Sequence, residues 1–286
     1  MTAWQRVSRE RPCPICTKSH WCLISNDGTA AICPRTPSDR RAGDAGWLHR
    51  LVVDSTTTAS YRARVRRAVL DFSAQRQRAA DVNLNLAERW SASVKPDALE
   101  RFADSLGVTS RSLKRLRVGW SAEHRAWTFP MVDASQRVVG IRLRGTDGRK
   151  WSVTGGREGL FVPIDLNVNA EPLLICEGPT DTAALLDLGF QAIGRPSCTG
   201  GVRHVCQMAH GRHVVIVADA DPPGRRGAES LACVLRAYCR SVRIIVPPDD
   251  VRDARGWRQA GATRRDVDAA IERAELRTLS IETRIS

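Results

Sequence analysis

The sequence predicts an α/β chain of three parts: an N-terminal zinc ribbon, a basic mixed α+β segment and a parallel α/β domain. Three observations carry that prediction. Four of the nine cysteines crowd into Cys13-Pro14-Ile15-Cys16, Cys22 and Cys33. Short strand-like runs broken by turn residues begin at Ala126. From Leu173 onward, continuous apolar runs alternate with helical stretches, the pattern of strands buried on both faces of a parallel sheet.

Composition sets the outer bounds. At roughly 150 residues per domain, 286 residues make about two globular units. No apolar run approaches the roughly 18 residues of a membrane span, and Met1 to Arg6 lacks the apolar core of a secretory signal. The other five cysteines are scattered, so a reducing, cytoplasmic setting is expected. Lys and Arg total 44 against 31 Asp and Glu, a formal charge of +13 carried almost entirely by arginine. Such a field favours polyanions, although GC-rich coding would also raise arginine and alanine together.

The first part, 1–50, has the spacing C-x2-C-x5-C-x10-C. A C-x2-C knuckle wraps one side of a tetrahedral zinc, and a pair on a returning hairpin closes the other. Asn26-Asp27-Gly28 supplies the turn. Cys13, Cys16, Cys22 and Cys33 are the expected ligands, with His20 the substitute for one of them. So short a segment buries little core, so the metal would contribute folding energy. Trp21 and Trp47 are read as packing that small core; stacking on single-stranded bases is the other use of such rings.

A linker and basic helix are expected over 51–85, with the helix from Tyr61 to Ala80. In 86–168, helices are expected at Asn83–Trp90, Pro96–Leu106 and Ser112–Leu116, the last pair superficially like a helix-turn-helix. Strands follow at Trp127–Val132, Arg137–Leu143 and Lys150–Val153. The parallel domain, 169–262, takes strands at Leu173–Cys176, Gln191–Ile193, His213–Ala218 and Val242–Val246. Its helices are Thr180–Leu188, Arg203–Ala209 and Gly227–Tyr238. The tail, 263–286, gives one helix, Arg265–Leu279.

Sites of open parallel sheets lie beyond the carboxyl ends of the strands, and three acids stand at such ends. One apolar run leads into Glu177, followed by Asp181 in the next helix; another leads into Asp219 and Asp221. Residues two apart on a strand face the same side, so Asp219 and Asp221 are expected to share a divalent ion with Glu177 beside them. Oxygen ligands of this kind suit Mg²⁺ or Mn²⁺. Taken singly, each acid also fits a turn or helix-capping role, Asp181 especially.

Glu177-Gly178-Pro179-Thr180-Asp181 and Ala218-Asp219-Ala220-Asp221-Pro222-Pro223-Gly224 together resemble the two signatures of the TOPRIM domain, over about 171–246. A zinc ribbon and a basic β segment ahead of it resemble the order found in DnaG-type and phage or plasmid primases. Phe129-Pro130-Met131, Val138 to Arg144, Lys150 and Gly159-Leu160-Phe161 are similar to the basic subdomain of their polymerase core. The resemblance implies catalytic roles for Glu177, Asp219 and Asp221, with magnesium or manganese bound there. It also implies contacts from Arg142, Arg144 and Lys150 to template or triphosphate phosphates. Asp250 and Asp253 with Trp257 resemble the motif closing phage relatives, but the spacing departs from it, so their role is left open.

The implied activity is synthesis of short RNA primers on single-stranded DNA from nucleoside triphosphates. No G-x-x-x-x-G-K-[ST] motif is present, so either a separate replicative helicase or a truncated form is expected, with a cytoplasmic, nucleoid-associated location and no membrane. A metal-dependent TOPRIM nuclease and a non-catalytic DNA-binding adaptor are the alternatives. A topoisomerase would need a nucleophilic tyrosine and DNA-gate domains, whereas this short chain has only Tyr61 and Tyr238.

Overall fold

The computed structural model describes residues 4–51, 77–248 and 250–279. It divides into two compact units, Met1–Ala74 and Gln75–Ser286. The basic segment and the parallel domain thus share one unit.

In the first unit, β1 (Trp4–Arg6), β2 (Leu23–Ser25), β3 (Ala30–Cys33) and β4 (Trp47–Arg50) form an antiparallel sheet in sequence order. The β2–β3 hairpin turns through Asn26–Thr29. Gly28 sits at φ +72°, and the Asp27 carboxylate accepts the Thr29 N–H and hydroxyl. The small core consists of Val7, Ile24, Ala31 and three of the clustered cysteines. Neither tryptophan belongs to it. Trp21 is 71% exposed with φ +69°, and Trp47 lies half-buried under the Arg41 guanidinium. The sulfurs and short aliphatic side chains already fill so small an interior.

In the second unit, α1 covers 77–92, running without a break where two helices were expected. The expected helix before residue 77 lies outside the described residues. Next come α2 (Pro96–Leu106) and α3 (Ser110–Arg115), separated by Gly107 and capped by the Thr109 hydroxyl, which accepts the Ser112 N–H. Here α3 packs against both α2 and α4. Thr109 and Ser112 donate to Asp187, fixing it against the next domain.

The antiparallel sheet runs β5 (Gly119–Ser121), β6 (Ala126–Val132), β7 (Val138–Gly145), β8 (Lys150–Ser152). The short β5 was not anticipated. The parallel sheet has the order β10 (Gln191–Arg195), β9 (Leu173–Glu177), β11 (His213–Val217), β12 (Ser241–Ile245). Helices α4 (Pro179–Asp187), α5 (Val202–Met208) and α6 (Pro222–Leu235) connect these strands.

Successive residues of each parallel strand enter opposite cores, as strand geometry requires. Leu174, Cys176, Val215 and Val217 pack with α2, α3 and α4; Leu173, Ile175, Val214 and Ile216 pack with α6. Leu160 bridges Val132 of β6, and the adjacent Phe161 bridges Gly194 of β10. These two residues stitch the sheets together. Beyond α7 (Ala254–Gln259), α8 ends at Arg273 (Arg264–Arg273), earlier than expected. Arg277 then bridges Val242, so the following backbone pairs with the sheet edge.

Candidate active site

The four cysteines converge. Their sulfurs all lie within 4.8 Å of one another, with Cys16–Cys22 at 3.6 Å and Cys22–Cys33 at 3.9 Å. Four thiolates around a tetrahedral ion at about 2.3 Å would be separated by about 3.8 Å, so the set fits a metal. His20 is exposed and outside the group. The Arg35 guanidinium approaches Cys22 Sγ at 3.5 Å while donating to the His20 carbonyl, a cation placed to offset thiolate charge.

The acids assemble at the carboxyl end of the parallel sheet. Glu177 is the last residue of β9. Gly178 follows at φ +84° and ψ 163°, a conformation open to glycine, which lets α4 start at once and puts Asp181 in its first turn. Asp219 and Asp221 lie past the end of β11, so the turn, and not strand alternation, sets their directions. Asp221 caps α6, accepting the Gly224 N–H at 2.8 Å. Gly224 lets that turn fold tightly, because a Cβ there would stand 2.7 Å from the Asp219 Cβ.

Two further acids belong to the group. Asp181 is buried and accepts the Arg255 N–H at 2.9 Å, which draws the start of α7 onto α4. Asp253 caps α7 through the Gly256 N–H at 2.7 Å, and its charge acts on both Asp181 and Asp219. Asp250 is exposed. The irregular spacing around Trp257 had hidden the contribution of Asp253. Its capping position three residues before Gly256 was the available signal.

Crowding of anions out of water sets the electrostatics. Burial, and then the charge of Asp253, push the Asp181 carboxyl up to about 7, against the Arg255 N–H and guanidinium. Burial pushes Asp219 up to about 7 as well, reinforced by Asp181, Glu177, Asp253 and Asp221. Burial also raises Glu177, opposed by the Arg195 guanidinium. Arg195 was not among the expected site residues. It is buried at the end of β10, pairs in register with Glu177 of β9, and donates through Nε to the Gly200 carbonyl.

A field that resists ionisation of its own carboxylates accepts divalent cations well. Among the described residues, however, only the cysteines form a group of three or more with all ligand atoms within 4.8 Å. The carboxylates are spread more widely. That suits ions held by one or two acids, with water and phosphate completing the shell.

The basic residues face this cluster from the antiparallel sheet. Arg144 pairs with Lys150 across β7–β8, and Arg142 lies two residues away on the same face. Lys150 is exposed, and its charge reaches Glu177 and Asp181. Arg144 is half-buried and feels Asp181 and Arg255. Arg142 donates to the Pro196 carbonyl at 3.4 Å, holding the glycine-rich turn after β10.

No family model and no curated protein matches the sequence. Solved structures do. The DnaG primase catalytic domain bound to ssDNA matches with a TM-score of 0.58 at 19% identity, over 71% of this chain and 81% of that one. The RNA polymerase domain of Mycobacterium tuberculosis primase DnaG matches at 0.54 and 15%, over 70% and 84%. The Aquifex aeolicus primase, with its zinc-binding and RNA polymerase domains, matches at 0.57 and 13%, over 92% and 78%. At these identities the likeness is one of fold: a four-cysteine ribbon and a polymerase-type α/β unit with the architecture of primases.

Proposed function

We propose that the chain is a DNA primase of the TOPRIM, DnaG-related kind, serving phage, plasmid or other mobile-element replication. The observation that carries this reading is the acid cluster at the ends of β9 and β11, faced by Arg144 and Lys150. Anionic substrates would be held between cations on one sheet and carboxylates on the other. The fold shared with primase cores supports the same reading, and the four-cysteine ribbon suits structural zinc.

In the reaction, a 3′ oxygen attacks the α-phosphorus of a nucleoside triphosphate. The new P–O bond forms as the bond to the bridging oxygen breaks, and pyrophosphate leaves. Magnesium or manganese, when bound by Glu177, Asp219 and Asp221, would neutralise phosphate charge and orient the reactants. Asp181 and Asp253 deepen the negative field around that set, and Arg195 restrains Glu177. Arg144 and Lys150 bind phosphate oxygens of template or triphosphate. The partners are then single-stranded DNA, nucleoside triphosphates and a separate replicative helicase.

The test is incubation with single-stranded DNA, nucleoside triphosphates and Mg²⁺, with separation of the products. Short RNA chains, absent with Asp219→Ala, are expected. Nicked or degraded DNA would instead indicate a nuclease, and binding without either product an adaptor.

A further inference from the structure

A cleft of about 660 Å³ opens between α2 and strands β5–β7 of the antiparallel sheet, and one of its lining residues, Arg144, feels the charge of Asp181. Its volume falls within the roughly 300–1,000 Å³ of small-molecule sites. Three aromatic rings line it, each only partly buried. Phe102 and Trp127 lie parallel with centroids 4.0 Å apart, and Trp120 meets Trp127 at 66° and 5.2 Å. The stacked pair uses one face of each ring on the other.

The charges lining the cleft are all positive: Lys95, Arg101 and Arg144. Among the described residues, none of the three side chains makes an ion pair or donates a hydrogen bond. Arg144 is half-buried in this state, so burial depresses its basicity with no partner carboxylate in contact. An unpaired, half-buried guanidinium beside incompletely covered indoles calls for a ligand that is both flat and anionic.

The register gives the cleft a direction. Trp120 pairs with Trp127, Trp127 with Arg144, and Arg144 with Lys150, in one row across four strands. Aromatic surface occupies one end of the row and phosphate-binding charge the other, where the acids begin.

We propose that this cleft is a nucleobase-stacking pocket. It takes one unstacked base against Trp120, Trp127 and Phe102, while Lys95, Arg101 and Arg144 bind the attached phosphates. The base comes either from a single strand or from a free nucleotide, and the chemistry is the same for both. This deepens the reading of the neighbouring site as one acting on nucleotides, and it rests on that reading through the shared Arg144.

The test uses the full chain and fluorescence anisotropy of a labelled thymidine oligonucleotide of about 12 residues, a length within the range of single-strand sites. An abasic strand with the same number of phosphates is run beside it. ATP and inorganic tripolyphosphate serve as competitors. The base-containing strand is expected to bind roughly ten-fold or more tighter than the abasic one, the scale of an aromatic–base contact. Trp120→Leu should remove most of that difference while leaving abasic binding unchanged. Arg101→Glu, on the exposed face of α2, should weaken both strands.

Displacement by ATP well beyond that by tripolyphosphate assigns the pocket to a free nucleotide; equal displacement with a base-dependent strand affinity assigns it to the strand. Equal affinity for the two strands together with no ATP preference overturns the proposal. So does a folded Trp120→Leu protein with undiminished base dependence. Wild-type protein that shows the base-dependent binding but makes no primer refutes the primase reading alone.

Discussion

The buried Asp181 carboxylate accepts the backbone N–H of Arg255 at 2.9 Å, joining the first turns of α4 and α7 across 74 positions of sequence. Since α7 is capped by Asp253, that one bond also carries a further acid to the site. Asp181→Ala should therefore reduce synthesis even if Asp181 touches no substrate. Asp181→Asn keeps the acceptor oxygen and should retain more activity than Asp181→Ala. Primer yield of the two variants at equal protein concentration checks this.

Metal-free stability should depend on pH through the same acids. Asp181 and Asp219 have folded-state values near 7, above those of an unfolded carboxylate. Between about pH 4 and 7 the folded chain holds protons that the unfolded chain has released. Stability contributed by these groups is therefore full below about pH 4, falls as pH rises to 7, and is level above that. Thermal melting without added magnesium should show this fall, and Asp219→Asn should reduce it.

Magnesium should reverse the penalty at neutral pH. A ligand that binds only the folded state at one hundred times its dissociation constant stabilises by about 2.7 kcal/mol. Added Mg²⁺ should raise the melting temperature of the wild type at pH 7.5, and much less that of Asp219→Ala. Titration calorimetry provides an independent measure.

The ribbon should depend on its metal while the larger unit does not. One zinc per chain is expected by elemental analysis, lost in Cys22→Ser, since the Cys22 sulfur lies 3.6 and 3.9 Å from those of Cys16 and Cys33. Chelation should unfold the first unit and leave the cooperative transition of residues 75–286 in place. A single transition lost as a whole on chelation would contradict it.

Asp187 is the corresponding structural prediction. It accepts Thr109 N–H and hydroxyl and the Ser112 hydroxyl, and pairs with Arg258 of α7 at 3.3 Å. Asp187→Ala leaves the Thr109 and Ser112 donors without their buried acceptor and the half-buried Arg258 guanidinium with only the Gly107 carbonyl, and should cost about 2 kcal/mol, measured by chemical denaturation.

Most of the architecture was legible because local chemistry and tertiary packing agree along the chain. The apolar runs at Leu173 and His213 are strands buried on both faces, and the knuckle cysteines are neighbours in space. The missed features depend on partners remote in sequence. Gly119–Ser121 is a strand only because β6 lies alongside it, and its three residues carry no period of their own. Trp21 was assigned to the interior by its hydrophobicity, while chain direction at a positive φ turns it outward. Arg195 acquires its role from the strand register opposite Glu177. Asp253 enters the cluster through the Asp181–Arg255 backbone bond, a tertiary link of which only its capping position before Gly256 gave a local sign.

Leu160 pairs with one sheet and Phe161 with the other. Adjacent residues thus fix the gap between the cationic and the acidic walls to within a peptide unit, much as a rivet sets the reach of a caliper. One residue inserted between Leu160 and Phe161 would shift the register of one wall against the other. The span between the walls is therefore set by a single peptide bond and not by the loops around it.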